Sequence, residues 1–205
     1  MATRDTYRHG NLRNALIKAG VELARDGGPD AVVLREATRR VGVAPNAAYR
    51  HFADRRALLA AVSQAGLAEL ARTMERELAA TPSPPRARLR ALTRGYLAFA
   101  RAQPGLFRAA FATTGMADTD TEEAAGAEGR TAYRLLSEAL DDLTAAGALP
   151  PEHRPGAEYF VWSTVHGMAV LLTDGPLRGI TPARAEEAER RAMDAVERGL
   201  CRTSE

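Results

Sequence analysis

Within eight residues this chain places a phenol, an imidazole and three guanidinium groups, on Tyr49, Arg50, His51, Arg55 and Arg56. Guanidinium groups neutralise phosphates, and a tyrosine hydroxyl or a histidine ring donates hydrogen bonds to phosphate oxygens, so the set suits a polyanion. Asn46, just upstream, has an amide that can read a base edge, whereas its neighbours Ala44, Pro45 and Ala47 have no hydrogen-bonding side chain. Direct reading of bases is therefore expected to be thin. Contacts from Tyr49, Arg50, His51 and Arg55, with Arg35 adding charge upstream, are expected to position the segment. The residues alone also allow a plainer reading, in which Tyr49 and Phe52 are core aromatics and the arginines a solvated face; Phe52 is taken as core. Catalysis has no comparable constellation. The sequence has no Gly-rich phosphate loop, no Gly-x-Ser-x-Gly, no His-Glu-x-x-His and no cysteine cluster. Its four histidines, at 9, 51, 153 and 166, show no metal-ligand spacing. Acid pairs such as Glu122-Glu123, Asp141-Asp142 and Glu186-Glu187 occupy adjacent helical positions, which point in different directions. No enzyme, no metal site and no cofactor is expected.

The elements that must hold these residues are two short helices joined by a tight turn. Leu34, Ala37 and Val41 recur at helical spacing and share one face. Gly42 can end that helix in a left-handed conformation, with Val43 dropping into the core. Pro45 suits the first position of the next helix, Ala44 its N-cap, and Ala48 and Phe52 its buried face. A preceding helix is expected from Asn11 to Asp26, with Leu12, Leu16, Ala19 and Leu23 as its apolar stripe and Gly27-Gly28-Pro29 after it. The basic segment before it, with Arg4 and Arg8, can enter a minor groove or remain a disordered tail.

The run GVAPNAAYRHFADRRALL, together with YRHGNLRNALIKAGVELARDGG upstream, resembles the DNA-binding head of the TetR family of transcriptional regulators. That resemblance implies a three-helix helix-turn-helix head in which Tyr49 and His51 contact phosphates and Arg55 is the basic residue opening the fourth helix. The sequence departs from the family at Val33 and Ala44, where Ser or Thr caps are usual, and at Ala37, Thr38 and Val41. Two N-caps, each worth about 1 kcal/mol, are weakened.

Charge separates head from body. Residues 1–60 hold eleven Lys or Arg against six Asp or Glu, and the rest of the chain is net acidic, so that the 205 residues total +2. A basic head on a mildly acidic body directs the head at a polyanion. Cys201 is the sole cysteine, which excludes an intramolecular disulfide and fits a reducing cytoplasm. The N-terminal residues are polar where a signal peptide needs an apolar run, and no stretch of 18 apolar residues occurs, so a soluble cytoplasmic protein without membrane partners is expected.

Beyond the head, at residues 56–205, the pattern stays helical. Arg56 to Ala80 forms an expected lever, with Leu58, Val62, Leu70, Met74 and Leu78 near one face and the prolines at 82, 84 and 85 ending it. Further helices are expected from Arg86 to Ala102, Pro104 to Thr113, Glu122 to Ala146, Ala157 to Thr173 and Pro182 to Cys201, without strand-like alternation. The fold class is therefore all-α: a helix-turn-helix head at 1–55 and a helical effector-binding and dimerisation body at 56–205. Large apolar side chains gather in the body, at Tyr96, Phe99, Phe107, Phe111, Met116, Tyr133, Tyr159, Trp162 and Met168. A stripe of aromatics at helical spacing is more often plain core than pocket, so this set shows only that the body is well filled. Trp162, His166 and Gly167 resemble the signature of a subgroup of TetR-like regulators with a Trp-His-Gly type C-terminal domain, and RAQPGLFRAAF is similar to the same domain. The resemblance implies a homodimer formed through the last two helices. It also implies a small apolar or amphipathic effector near Phe99, Phe107, Phe111, Tyr133, Trp162 and His166, and release from a double-stranded operator arranged as an inverted repeat. The runner-up is a helical small-molecule binding or sequestering protein without specific DNA binding.

Overall fold

The structure is a computed structural model that describes residues 9–81, 84–113, 115 and 119–201. All its regular elements among these residues are helical. They are α1 (His9–Gly27), α2 (Leu34–Val41), α3 (Pro45–Ala48), α4 (Arg55–Ala79), α5 (Pro85–Ala102), α6 (Pro104–Ala110), α7 (Ala132–Ala145), α8 (Ala157–Thr173) and α9 (Pro182–Leu200), with 3-10 turns at Pro29–Ala31, Glu122–Ala124 and Pro151–His153. The chain divides into two compact units, residues 1–66 with 105–118 and residues 67–104 with 119–205.

In the first unit α1 packs on α2, and α2 on α3. Leu16, Leu23, Val32, Ala37, Ala48, Phe52, Leu58 and Val62 are buried, which bears out the apolar stripes of the sequence. Thr38 is buried beside Leu34 and Ala37, while Val41 is half-buried. Two glycines allow close approach. A Cβ on Gly20 of α1 would lie 2.5 Å from Val62 Cγ2 of α4, and one on Gly105 of α6 would run into the main-chain oxygens of Ala24 and Arg25 of α1. Ser63 Oγ donates to the Ala110 carbonyl, joining α4 to α6.

In the second unit α5 packs against α7 and α8, and α8 against α7 and α9. Leu70, Leu89, Leu92, Phe99, Leu135, Leu140, Leu143 and Leu149 fill its interior. Arginines along α5 reach acids on its neighbours: Arg88 pairs with Asp142 at 3.2 Å, Arg90 with Asp194 at 2.7 Å and Glu197 at 2.6 Å, and Arg101 with Glu189.

Several boundaries differ from expectation. α1 starts at His9, so Asn11 lies inside it rather than capping it. α3 is one turn long, and beyond it the His51 and Phe52 N–H groups both bond the Ala48 carbonyl at 2.9 Å. α6 ends at Ala110, three residues early. The helix expected over Glu122 to Ala146 is a 3-10 turn, a loop and then α7. Gly126 and Gly129 break it: Gly129 has φ 73, and the Gly126 N–H bonds the Arg130 carbonyl at 2.8 Å. The buried Glu75 carboxylate accepts from the main-chain N–H of Ala127 at 2.8 Å and Glu128 at 3.1 Å. α7 then opens on Thr131, whose hydroxyl caps the Arg134 N–H at 3.2 Å.

Candidate nucleic-acid interface

Gly42 makes the turn between α2 and α3. It sits at φ 76 with open space around it, its N–H bonds the Arg39 carbonyl, and the Val43 N–H reaches back to the Thr38 carbonyl at 3.1 Å. These are the paired bonds of a Schellman motif, which satisfy carbonyls left open at the helix end. Neither Val33 before α2 nor Ala44 before α3 makes a side-chain cap, in keeping with their apolar side chains. α3 is held from beneath by Ala48 and Phe52, and the Arg13 guanidinium of α1 lies 5.5 Å from the Phe52 ring centre.

This anchoring leaves the predicted contact residues outward. Tyr49 is 58% exposed and so is no core aromatic, whereas Phe52 is buried. Asn46, Arg50, Ala44 and Pro45 are exposed; Ala47 and His51 are half-buried. Arg35, Arg50 and Arg56 are exposed and have no ion-pair partner among the described residues. Arg39 is instead tied to Glu36 by two bonds of 2.8 and 2.6 Å, and Arg40 to Asp26 at 2.7 Å. The Glu36 carboxyl is held below its usual range, chiefly by the Arg39 bond. An open cleft of about 530 Å³ is lined by the polar Arg35, Glu36, Thr38 and Arg39 together with Val33, Val43 and Pro45.

Arg55 has a second task that the sequence did not reveal. Its Nε donates to the Val32 carbonyl at 2.9 Å and a terminal nitrogen to the Pro29 carbonyl at 2.7 Å, with Asp30 at 3.5 Å. It thus fastens the link between α1 and α2 to the start of α4. Asp54 caps α4 through the Ala57 N–H at 2.8 Å. Arg4 and Arg8 lie outside the described residues, as does Met116.

The predicted effector residues divide between the units. Phe107 and Phe111 belong to the first, in edge-on contact at 5.2 Å between ring centres. Phe99, Tyr133, Trp162 and His166 belong to the second. There the indole N–H of Trp162 donates to Tyr96 Oη at 3.2 Å, and Tyr96 Oη lies 2.7 Å from His166 Nδ1. Which of the two donates follows from the imidazole tautomer, since a phenol oxygen that accepts from Trp162 can either donate to Nδ1 or accept a second hydrogen bond from it. Burial keeps His166 below its ordinary pKa and pushes the Tyr96 phenol up. Phe99 is fully buried; Tyr133, Trp162 and His166 are half-buried. Tyr159 departs from the expected interior: it is 57% exposed, one residue before Phe160 of α8, which is exposed as well. Sequence reasoning also missed Glu75. Its signal was an acid on the apolar face formed by Ala68, Ala71 and Leu78, a placement that requires buried partners.

Among the described residues no group of three or more His, Cys, Asp or Glu could hold a metal ion, and no helix is long and apolar enough to cross a membrane.

Comparison with known proteins gives two family matches. Residues 16–62 match the family of bacterial regulatory proteins of the TetR type, and residues 89–196 match a tetracyclin repressor-like C-terminal domain. Among solved structures, a protein of unknown function from Rhodococcus sp. RHA1 is 29% identical, with TM-score 0.75, over 97% of this chain and 100% of that one. A TetR variant from Acinetobacter baumannii AYE, solved in complex with minocycline, is 22% identical with TM-score 0.64, over 95% and 96% of the two chains. The TetR family regulator PfmR from Thermus thermophilus is 20% identical with TM-score 0.59, over 91% and 99%. Among curated proteins none matches. The two matched segments take in the helix-turn-helix and most of the helical body, and the chain belongs to the TetR family of bacterial regulators.

Proposed function

We propose that this regulator is a homodimeric, ligand-released repressor that reads an inverted-repeat operator. The observation that carries the DNA-reading part is the exposed Tyr49 at the end of a one-turn α3, in a unit whose Arg35, Arg50 and Arg56 guanidinium groups have no ion-pair partner among the described residues. A phenol that large is exposed at little gain unless a partner covers it, and three such cations select a polyanionic partner. Tyr49, His51 and Arg50 would grip phosphates, Asn46 would read a base, and Arg55 would add charge while fastening the α1–α2 link. Two heads related by a two-fold axis would enter successive major grooves about 34 Å apart.

Dimerisation is supported by an uncovered stripe on α8, where Phe160, Ser163, Gly167, Val170 and Leu171 share one face, beside the small residues Ala192, Ala195 and Gly199 of α9. The effector reading rests on the half-buried Tyr133, Trp162 and His166 with the Tyr96 hydroxyl between the last two, which combine apolar surface with fixed polar groups. The same Trp162–His166–Gly167 spacing supports placement in the Trp-His-Gly subgroup. An effector releases the operator only through a difference in its affinity for the DNA-binding and released arrangements.

The test is fluorescence anisotropy of the purified protein with a duplex from upstream of its own gene, against a scrambled duplex, at several salt concentrations. Tight binding to the first duplex alone is expected. Equal, weak binding to both, repeated over a random-sequence selection, would count against a DNA-reading role and favour a small-molecule binder.

A further inference from the structure

One buried acid has no part in the contacts proposed above. Glu75, in the last turns of α4, is 6% exposed and has no ion-pair partner among the described residues. Its two carboxylate oxygens are held instead by the main-chain N–H groups of Ala127 at 2.8 Å and Glu128 at 3.1 Å. Gly126 completes the fit, because a Cβ there would lie 2.5 Å from one of those oxygens. A carboxylate is costly to bring out of water, and apolar side chains of similar volume often hold two elements together as well or better. Packing alone therefore gives no reason for an acid at this position.

The loop that Glu75 holds leads directly into α7. The Gly126 N–H bonds the Arg130 carbonyl at 2.8 Å, the Thr131 hydroxyl donates to Asp120 at 2.6 Å while capping the Arg134 N–H, and the Arg134 side chain reaches Asp120 at 2.8 Å. Tyr133, the second residue of the helix so begun, is half-buried and belongs to the proposed effector set. Glu75, this loop and Tyr133 all lie in the second unit, whereas α4 starts at Arg55 in the first and runs into the second without a break. We infer that Glu75 is the positioning residue that couples the loop before Tyr133 to operator binding, its bonds to Ala127 and Glu128 being made to different extents in the operator-bound and operator-free protein. This inference rests on the DNA-reading and effector assignments above and names the residue that joins them.

Two measurements on the full chain test it, neither needing the effector. Anisotropy with a specifically bound duplex compares the parent with Glu75→Gln, which keeps the volume but turns an amide donor toward the loop, and with Gly126→Ala, which pushes the carboxylate away from the loop side. Binding stoichiometry corrects for any unfolded fraction. Hydrogen exchange at the Ala127 and Glu128 amides of the parent is then compared with and without saturating duplex. Both variants should shift the affinity at least five-fold and in the same direction. Reciprocity fixes the sign of the exchange result: if the variants bind the duplex more weakly, the duplex must slow exchange at these two amides, and if they bind more tightly it must speed it. A merely structural Glu75 would lower thermal stability and leave the affinity of the folded fraction and the parent's exchange unchanged; either of those two constancies would overturn the inference and leave DNA reading intact. An exchange change of the opposite sign would overturn it as well. Should neither variant fold, the parent's exchange decides alone. Failure to find any duplex bound above a scrambled control would remove the DNA-reading assignment and this inference with it.

Discussion

At the scale of single residues the head separates groups that position it from groups that hold it together. Tyr49 and Arg50 are exposed and make no contact that the fold requires, so their replacement tests DNA contact without disturbing the core. Tyr49→Phe should weaken binding to all duplexes alike, by about five-fold for one lost hydrogen bond, with unchanged thermal stability. Arg50→Ala should in addition lower the slope of log affinity against log salt by about 0.9, the signature of one phosphate no longer neutralised. Anisotropy titrations at four salt concentrations check both, and an unchanged slope in Arg50→Ala would remove that residue from the phosphate contacts. In the second unit His166 provides a pH signature. Burial lowers its folded pKa below the ordinary 6.5, so the unfolded chain binds the proton more readily. The stability it contributes is full above about pH 6.5, its unfolded value, and is lost as pH falls toward the lower folded value. Denaturant titrations from pH 7.5 to 5 should show that decline, and His166→Gln, which keeps a hydrogen-bonding group for the Tyr96 hydroxyl, should flatten it.

At the scale of elements, close helix contact depends on residues that lack a side chain. Gly105 of α6 faces the Ala24 and Arg25 carbonyls of α1. A methyl group there meets main chain, which cannot swing aside, so Gly105→Ala should cost about 3 kcal/mol in denaturant unfolding. Gly42→Ala has free space and only a left-handed φ to oppose it, and about 1 kcal/mol is expected. Equal losses for the two would refute the account of the α1–α6 contact. This contrast also marks what the sequence made legible. The turn at Gly42, the buried Ala48 and Phe52 and the length of α8 follow from local conformation and helical spacing. Gly105 does not, because its constraint comes from a helix some eighty residues earlier in the chain. The same holds for α7, whose late start depends on Glu75 seizing two N–H groups of a loop more than fifty residues away. It holds again for Arg55, read from its charge as a phosphate ligand and found bonded to the Pro29 and Val32 carbonyls. Local pattern reports what a residue can do; distant packing decides which of those things it does.

At the scale of the whole molecule, an inverted-repeat operator demands two heads, and one chain supplies one. In the dimer proposed above the partner surface must be apolar and outside the interior of either unit, and the outward face of α8 is both. Phe160, Val170 and Leu171 are 46%, 41% and 40% exposed and are flanked by Gly167 with open space around it, while a Cβ on Gly199 of α9 would touch the Phe160 ring at 3.5 Å. In an interface with two-fold symmetry every substitution is made twice, and near the axis a charge meets its own copy. Leu171→Glu should therefore place two carboxylates in an apolar contact and separate the protomers, while a side chain already outward in the single chain leaves the fold of each protomer intact. Sedimentation velocity at micromolar concentration should give a dimer for the parent and a monomer for the variant, with equal helical circular dichroism. Because the monomer engages one half-site at a time, its affinity for the full operator should fall to that for an isolated half-site. A Leu171→Glu protein that remains dimeric would move the interface off this face of α8, and a monomer that still bound the full operator as tightly as the parent would separate dimerisation from operator reading.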